Sequence, residues 1–162
     1  METGAQARHA CCDAQRPPHI HHRESLMSPD TIRLVQQSWT QVAAIAPQAA
    51  ALFYQNLFTA DPALKPLFKG DMDAQGRKLM QMIGAAVGKL NDLDTLVPIL
   101  QGLGRRHVDY GVQDAHYDTV GGALLLTLEQ GLGDGFTPDV RAAWTAVYGV
   151  MAQVMKDASH PA

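Results

Sequence analysis

From Ser28 onward the large apolar residues recur at spacings of three and four, the period of a helix, and the alternation of a half-buried strand is absent. Ile32, Val35, Trp39 and Val42 form the first stripe. Ser28 is placed to cap it, Pro29 suits the first helical position and Asp30 complements the positive helix end, so the pattern predicts a helix over 29–45. After Pro47 a second stripe runs through Ala50, Phe53, Tyr54, Leu57 and Phe58 into Asp61-Pro62-Ala63-Leu64-Lys65-Pro66, which predicts a helix followed by a short corner. Asp71 or Asp73 caps the next helix, where Gln75, Leu79, Met82, Ile83 and Ala86 share a face headed by one polar residue. Met82, Ile83 and Ala86 read as core, as do Trp39 and Trp144. Thr95 and Pro98 are expected to open a shorter helix carrying Leu96, Leu100, Leu103 and His107, with Gly111 placed to end it. Two plainer helices follow. One carries Tyr117, Val120, Leu124 and Leu128; the other, capped by Thr137-Pro138, carries Val140, Trp144, Val147, Tyr148, Met151 and Met155. Amphipathic helices of unequal length joined by short loops make an all-α domain.

Residues 1–27 show neither period, hold few large apolar side chains and contain Pro17-Pro18, so they read as a flexible N-terminal extension to a domain spanning 28–162. Met27 is also placed to serve as a start. The His19-Ile20-His21-His22 cluster reads as a solvated His-rich segment or as a capture point for a transition metal. Cys11 and Cys12 are adjacent in a polar stretch, a poor basis for a disulfide framework or a closed zinc site. With 162 residues the chain can build one sizeable core and not two, so one site is expected. The formal charge of −3, with scattered Lys and Arg, gives no basic stripe for nucleic acid. No window reaches the length of a membrane span and the N-terminus lacks an apolar signal core, so the expected compartment is the cytoplasm.

Beyond Met27 the histidines are His107, His116 and His160, and His107 ends an apolar row. One imidazole does not make a tetrahedral zinc site, and no second ligand stands at i+3 or i+4. Haem needs only one protein ligand, because the porphyrin supplies four nitrogens and leaves a sixth position open. On spacing alone, a core histidine with both nitrogens satisfied stands beside that reading.

The order of motifs goes further. Leu103-Gly104-Arg105-Arg106-His107, continuing through Tyr110-Gly111-Val112, resembles the segment of neuroglobin and bacterial haemoglobins that carries the proximal histidine. His116-Tyr117 is similar to the His-Tyr that opens the following helix in bacterial single-domain haemoglobins of the Vitreoscilla type. Phe53-Tyr54-Gln55-Asn56-Leu57-Phe58 resembles their second helix, Pro66-Leu67-Phe68 the corner that sets a phenylalanine against haem, and Ala142-Ala143-Trp144 with Val147-Tyr148-Gly149 their last helix. Over residues 28–157 the chain thus resembles the globin family. That resemblance implies a three-over-three helical sandwich around one haem b (iron protoporphyrin IX). It implies His107 as the proximal iron ligand, Phe68 packed on the porphyrin, Leu79 and Leu103 on its opposite sides, Val112 near its edge and Lys78 reaching toward a propionate. It also sets Tyr54 and Gln75 on the distal side, and Tyr117 behind the proximal histidine.

A phenol O–H and an amide N–H aimed at a bound diatomic gas stabilise the negative charge it develops, so high oxygen affinity is expected. Glutamine is a poor iron ligand, so a five-coordinate ferrous iron is expected. The resemblance implies reversible binding of O2, with NO and CO as further ligands, for storage, transport or scavenging; the alternative is a nitric oxide dioxygenase. The latter needs electrons, and with no Gly-rich dinucleotide fingerprint in the chain a separate reductase is expected to supply them. In flavohaemoglobins and Vitreoscilla-type proteins a last-helix glutamate supports the proximal histidine. The ungapped match here falls near Ser159, which implies a weaker proximal push and favours binding over catalysis. Signalling through an output module is not expected. The expected assembly is a monomer or a dimer.

Overall fold

The computed structural model describes residues 27–160, so the Cys11-Cys12 pair, the His19–His22 cluster and the reading of residues 1–27 as an extension lie almost wholly outside it. The helices are α1 (Pro29–Ala43), α2 (Ala46–Ala60), α3 (Met72–Gly88), α4 (Leu93–Asp109), α5 (Asp114–Leu132) and α6 (Pro138–Ser159). Short 3-10 turns span Pro62–Leu67 and Gly133–Gly135. No strand occurs among the described residues.

Local chemistry sets most of these boundaries. The Ser28 hydroxyl accepts from the Thr31 amide at 3.2 Å and Thr137 does the same for Val140 at 3.2 Å, satisfying N–H groups that lack a partner within the helix. Asp71, rather than Asp73, caps α3. The helix that carries His107 departs from expectation. It begins at Leu93 and runs 17 residues, because the Asp92 carboxylate takes the hydroxyl of Thr95 at 2.7 Å and caps the chain one turn earlier. Pro98 therefore lies inside α4, where it forfeits one backbone hydrogen bond near the N-terminus.

Two layers of three helices result, with α1, α3 and α4 on one side and α2, α5 and α6 on the other. The principal contacts between the layers are α4 on α6, α1 on α6 and α2 on α3, while α2 packs on α5 within its own layer. The first helical stripe is buried throughout, and Trp144 is fully buried beside Trp39, their ring centroids 6.1 Å apart. The Trp144 indole N–H donates to Ser38 Oγ at 2.8 Å, so this polar atom enters the core with a partner. Met82 is not core. It is 44% exposed while Ile83 and Ala86 pack inward, since one residue further along a helix turns the side chain by about 100°. Helices α3 and α4, although consecutive, make no extensive contact with each other.

Candidate functional site

The row Leu96, Leu100, Leu103, His107 lies along α4, buried at its first two positions and half-buried at the last two. His107 Nδ1 lies 2.7 Å from the Leu103 carbonyl, so Nδ1–H donates to it and Nε2 keeps its lone pair. Burial is the main influence on the imidazole and holds its pKa below the ordinary histidine value. The Leu103 bond opposes this shift, and the neighbouring Arg106 charge adds to it. His107 is therefore neutral at pH 7, the protonation state a metal ligand requires. Its backbone is fixed as well: the Val112 amide donates to the His107 carbonyl at 3.0 Å and the Gly111 amide to Val108 at 3.0 Å. This double closure needs a left-handed residue, which Gly111 supplies at φ 84°.

On α2, the ring of Tyr54 is buried in a cluster of aromatic edges. It stacks with Phe58 at 5.9 Å and meets Phe68 edge-on at 5.4 Å, while Phe58 and Phe68 meet edge-on at 5.4 Å. Burial alone raises the Tyr54 pKa, so the phenol keeps its proton as a donor. Leu79 packs from α3 against the core, lining with Trp39, Phe53, Ile83 and Leu124 a small apolar cavity of about 10 Å³. Gln75 is half-buried one turn before Leu79, and its side-chain amide donates to the backbone carbonyl of Lys69 in the preceding corner. Tyr54 is thus held by packing and Gln75 by a corner carbonyl. Lys78 is exposed and Val112 is half-buried.

Behind His107, the ring of Tyr117 lies at 21° to the imidazole with centroids 6.4 Å apart. Tyr117 is held from below by Tyr148, whose hydroxyl donates to the Tyr117 carbonyl. The Tyr117 hydroxyl itself is buried and has no hydrogen-bond partner among the described residues. Ser159, where a supporting glutamate was sought, donates to the Lys156 carbonyl at 2.7 Å instead. The Lys156 ammonium lies 5.7 Å from the Tyr117 ring.

The described residues therefore offer one neutral imidazole nitrogen on α4 and, on α2, a buried phenol that keeps its proton. No group of three or more His, Cys, Asp or Glu fit to hold a bare metal ion occurs among the described residues. A lone imidazole suits iron that brings its own equatorial nitrogens, so the residues present fit a haem. Sequence reasoning did not single out Gly104, which packs against the backbone of Met155. Its signal was a glycine inside a helical pattern, a place that usually has a packing reason.

Comparison with known proteins agrees with this geometry. The family model named Globin matches residues 51–155. Flavohemoproteins of Vibrio cholerae and Rhodopirellula baltica are each 30% identical, over 82% and 80% of this chain but only 34% and 32% of their own length. The chain thus spans about a third of those relatives. Neuroglobin of Danio rerio is 32% identical over 75% of this chain and 86% of its own length. With its all-helical fold and a family match over most of its length, the chain belongs to the globin family.

Proposed function

We propose that this protein binds haem b between α3 and α4 and reversibly binds dioxygen there, with NO and CO as competing ligands. The observation that carries this reading is the His107 imidazole, whose Nδ1 is taken by the Leu103 carbonyl while Nε2 stays free and neutral. Globin membership supports haem-based ligand binding in general, and the particular roles of these residues are inferred from their positions.

When bound, haem supplies an iron with one open position for a diatomic gas. His107 would hold it from the proximal side. Phe68, Leu79, Leu103 and Val112 would exclude water around it, with Lys78 free at the surface to pair with a propionate. Tyr54 would donate a hydrogen bond from its phenol O–H to the gas. Gln75 would join it by exchanging the Lys69 carbonyl for the ligand, so its contribution is reduced by the bond it gives up. Tyr117 would restrict rotation of the imidazole by its near-parallel ring. Because no carboxylate supports that histidine among the described residues, binding is favoured over O–O bond chemistry.

A second reading is favoured by the likeness to two flavohemoproteins. In that reading the bound haem would supply the oxidation of nitric oxide by dioxygen to nitrate, and a separate reductase would supply one electron per turnover. Among the described residues no helix is long and apolar enough to cross a membrane, and the reading is of a cytoplasmic protein, as monomer or dimer. Expression with adequate haem followed by absorbance spectroscopy and oxygen titration tests the first reading: a Soret band, a five-coordinate ferrous form and saturable, reversible oxygen binding are expected. Absence of the Soret band overturns it. Rapid mixing of the oxygenated protein with nitric oxide, with and without a flavin reductase, separates carrier from dioxygenase by whether turnover is sustained.

A further inference from the structure

Gly104 lies one turn before His107 on α4 and is buried against α6. A Cβ placed on it would meet the Met155 carbonyl oxygen at 2.3 Å, the Met155 Cα at 2.8 Å and its carbonyl carbon at 2.9 Å. All three are backbone atoms of a long helix anchored by Trp144 and Val147, so they do not yield as the end of a flexible side chain would. Gly102, on the same helix, shows the contrast: a Cβ there meets only the end of the Arg105 guanidinium, at 4.0 Å.

Resting on the proposed ligation of haem by His107, we infer that Gly104 is a positioning residue for the iron: its missing side chain lets α4 lie backbone-on-backbone against α6, and this sets how far His107 reaches toward the haem. The physical argument is one of lever and fulcrum. His107 hangs from α4 with its ring oriented by the Leu103 carbonyl and its backbone closed by Gly111, so it follows any rigid displacement of the helix. A methyl group at Gly104 needs roughly an ångström of extra space to reach ordinary contact distance. The only way to gain it is to lift α4 off α6, which carries the imidazole outward from the core. Metal sites tolerate such displacements poorly, since ligand geometry has to be held within about half an ångström.

The test compares wild type, Gly104→Ala and Gly102→Ala as haem-loaded proteins. Resonance Raman spectra of the ferrous form report the iron–histidine stretch, and transfer of haem to an excess of a high-affinity apoglobin reports its release. Gly104→Ala is expected to lower the stretching frequency and to release haem about tenfold faster, while Gly102→Ala matches wild type on both. A folded Gly104→Ala protein with an unmoved band and an unchanged release rate, whatever its thermal stability, overturns the inference. Should Gly104→Ala fail to fold, a crystal structure of the haem-loaded wild type decides. Close contact between Gly104 and the Met155 carbonyl upholds the inference, and room for a methyl group overturns it. A wild-type chain with no Soret band overturns the haem reading itself, and the inference with it.

Discussion

His107 donates from Nδ1 to the carbonyl of Leu103, four residues back on the same helix, at 2.7 Å. The bond fixes the tautomer and leaves the Nε2 lone pair free for the proposed ligation. Burial holds the His107 pKa down, so the folded state resists protonation more than the unfolded chain does. The unfolded state then binds more protons wherever pH lies below the ordinary histidine value, and stability rises with pH through that range. The apoprotein is expected to keep its full His107 contribution above the ordinary histidine pKa and to lose it as pH falls below. Urea unfolding at a series of pH values checks this against His107→Gln, in which that part of the slope should vanish.

Tyr54 is fixed by the rings of Phe58 and Phe68, whereas Gln75 is tied to Lys69. As the proposed gas-facing donors, the two should therefore contribute unequally. Tyr54→Phe is expected to speed oxygen release roughly tenfold, the worth of one hydrogen bond to a charged acceptor. Gln75→Leu is expected to have a smaller effect, because the amide surrenders a backbone bond when it turns to the gas. Stopped-flow oxygen dissociation measures both. Equal off-rates for Tyr54→Phe and wild type would remove tyrosine from the mechanism.

The buried hydroxyl of Tyr117, without a partner among the described residues, carries a desolvation cost that no hydrogen bond offsets. Tyr117→Phe keeps the ring against His107 and removes the cost. The apoprotein should gain about 1 kcal/mol in chemical denaturation. A loss of stability would show that the hydroxyl does have a partner in solution.

Ser38 sits between Trp144 and the backbone of α1, accepting from the indole at 2.8 Å and donating to the Leu34 carbonyl at 2.7 Å. Ser38→Ala strips the fully buried Trp144 of its acceptor and should cost about 1–3 kcal/mol. Denaturant midpoints of the apoprotein, read by tryptophan fluorescence, give the value.

Helix positions were legible because they rest on local rules. The stripe Ile32, Val35, Trp39, Val42 is buried as its spacing requires, and Ser28 and Thr137 cap as their hydroxyls allow. The start of α4 was misjudged because Pro98 suggested a first turn, while the Asp92–Thr95 contact that captures the true start competes only over a few residues. Met82 was misjudged because periodicity assigns a face and not the neighbour that covers it.

The sequence by itself determined the all-α class, the family resemblance and the standing of His107 as the candidate ligand, since these depend on residue type and spacing along one chain. Only the tertiary structure decided what each side chain meets. It turned the Gln75 amide to Lys69, left the Tyr117 hydroxyl without a partner, paired Trp144 with Ser38 and pressed Gly104 against Met155. Those contacts join residues on different elements, and their energies depend on distances of tenths of an ångström, which helical period does not encode.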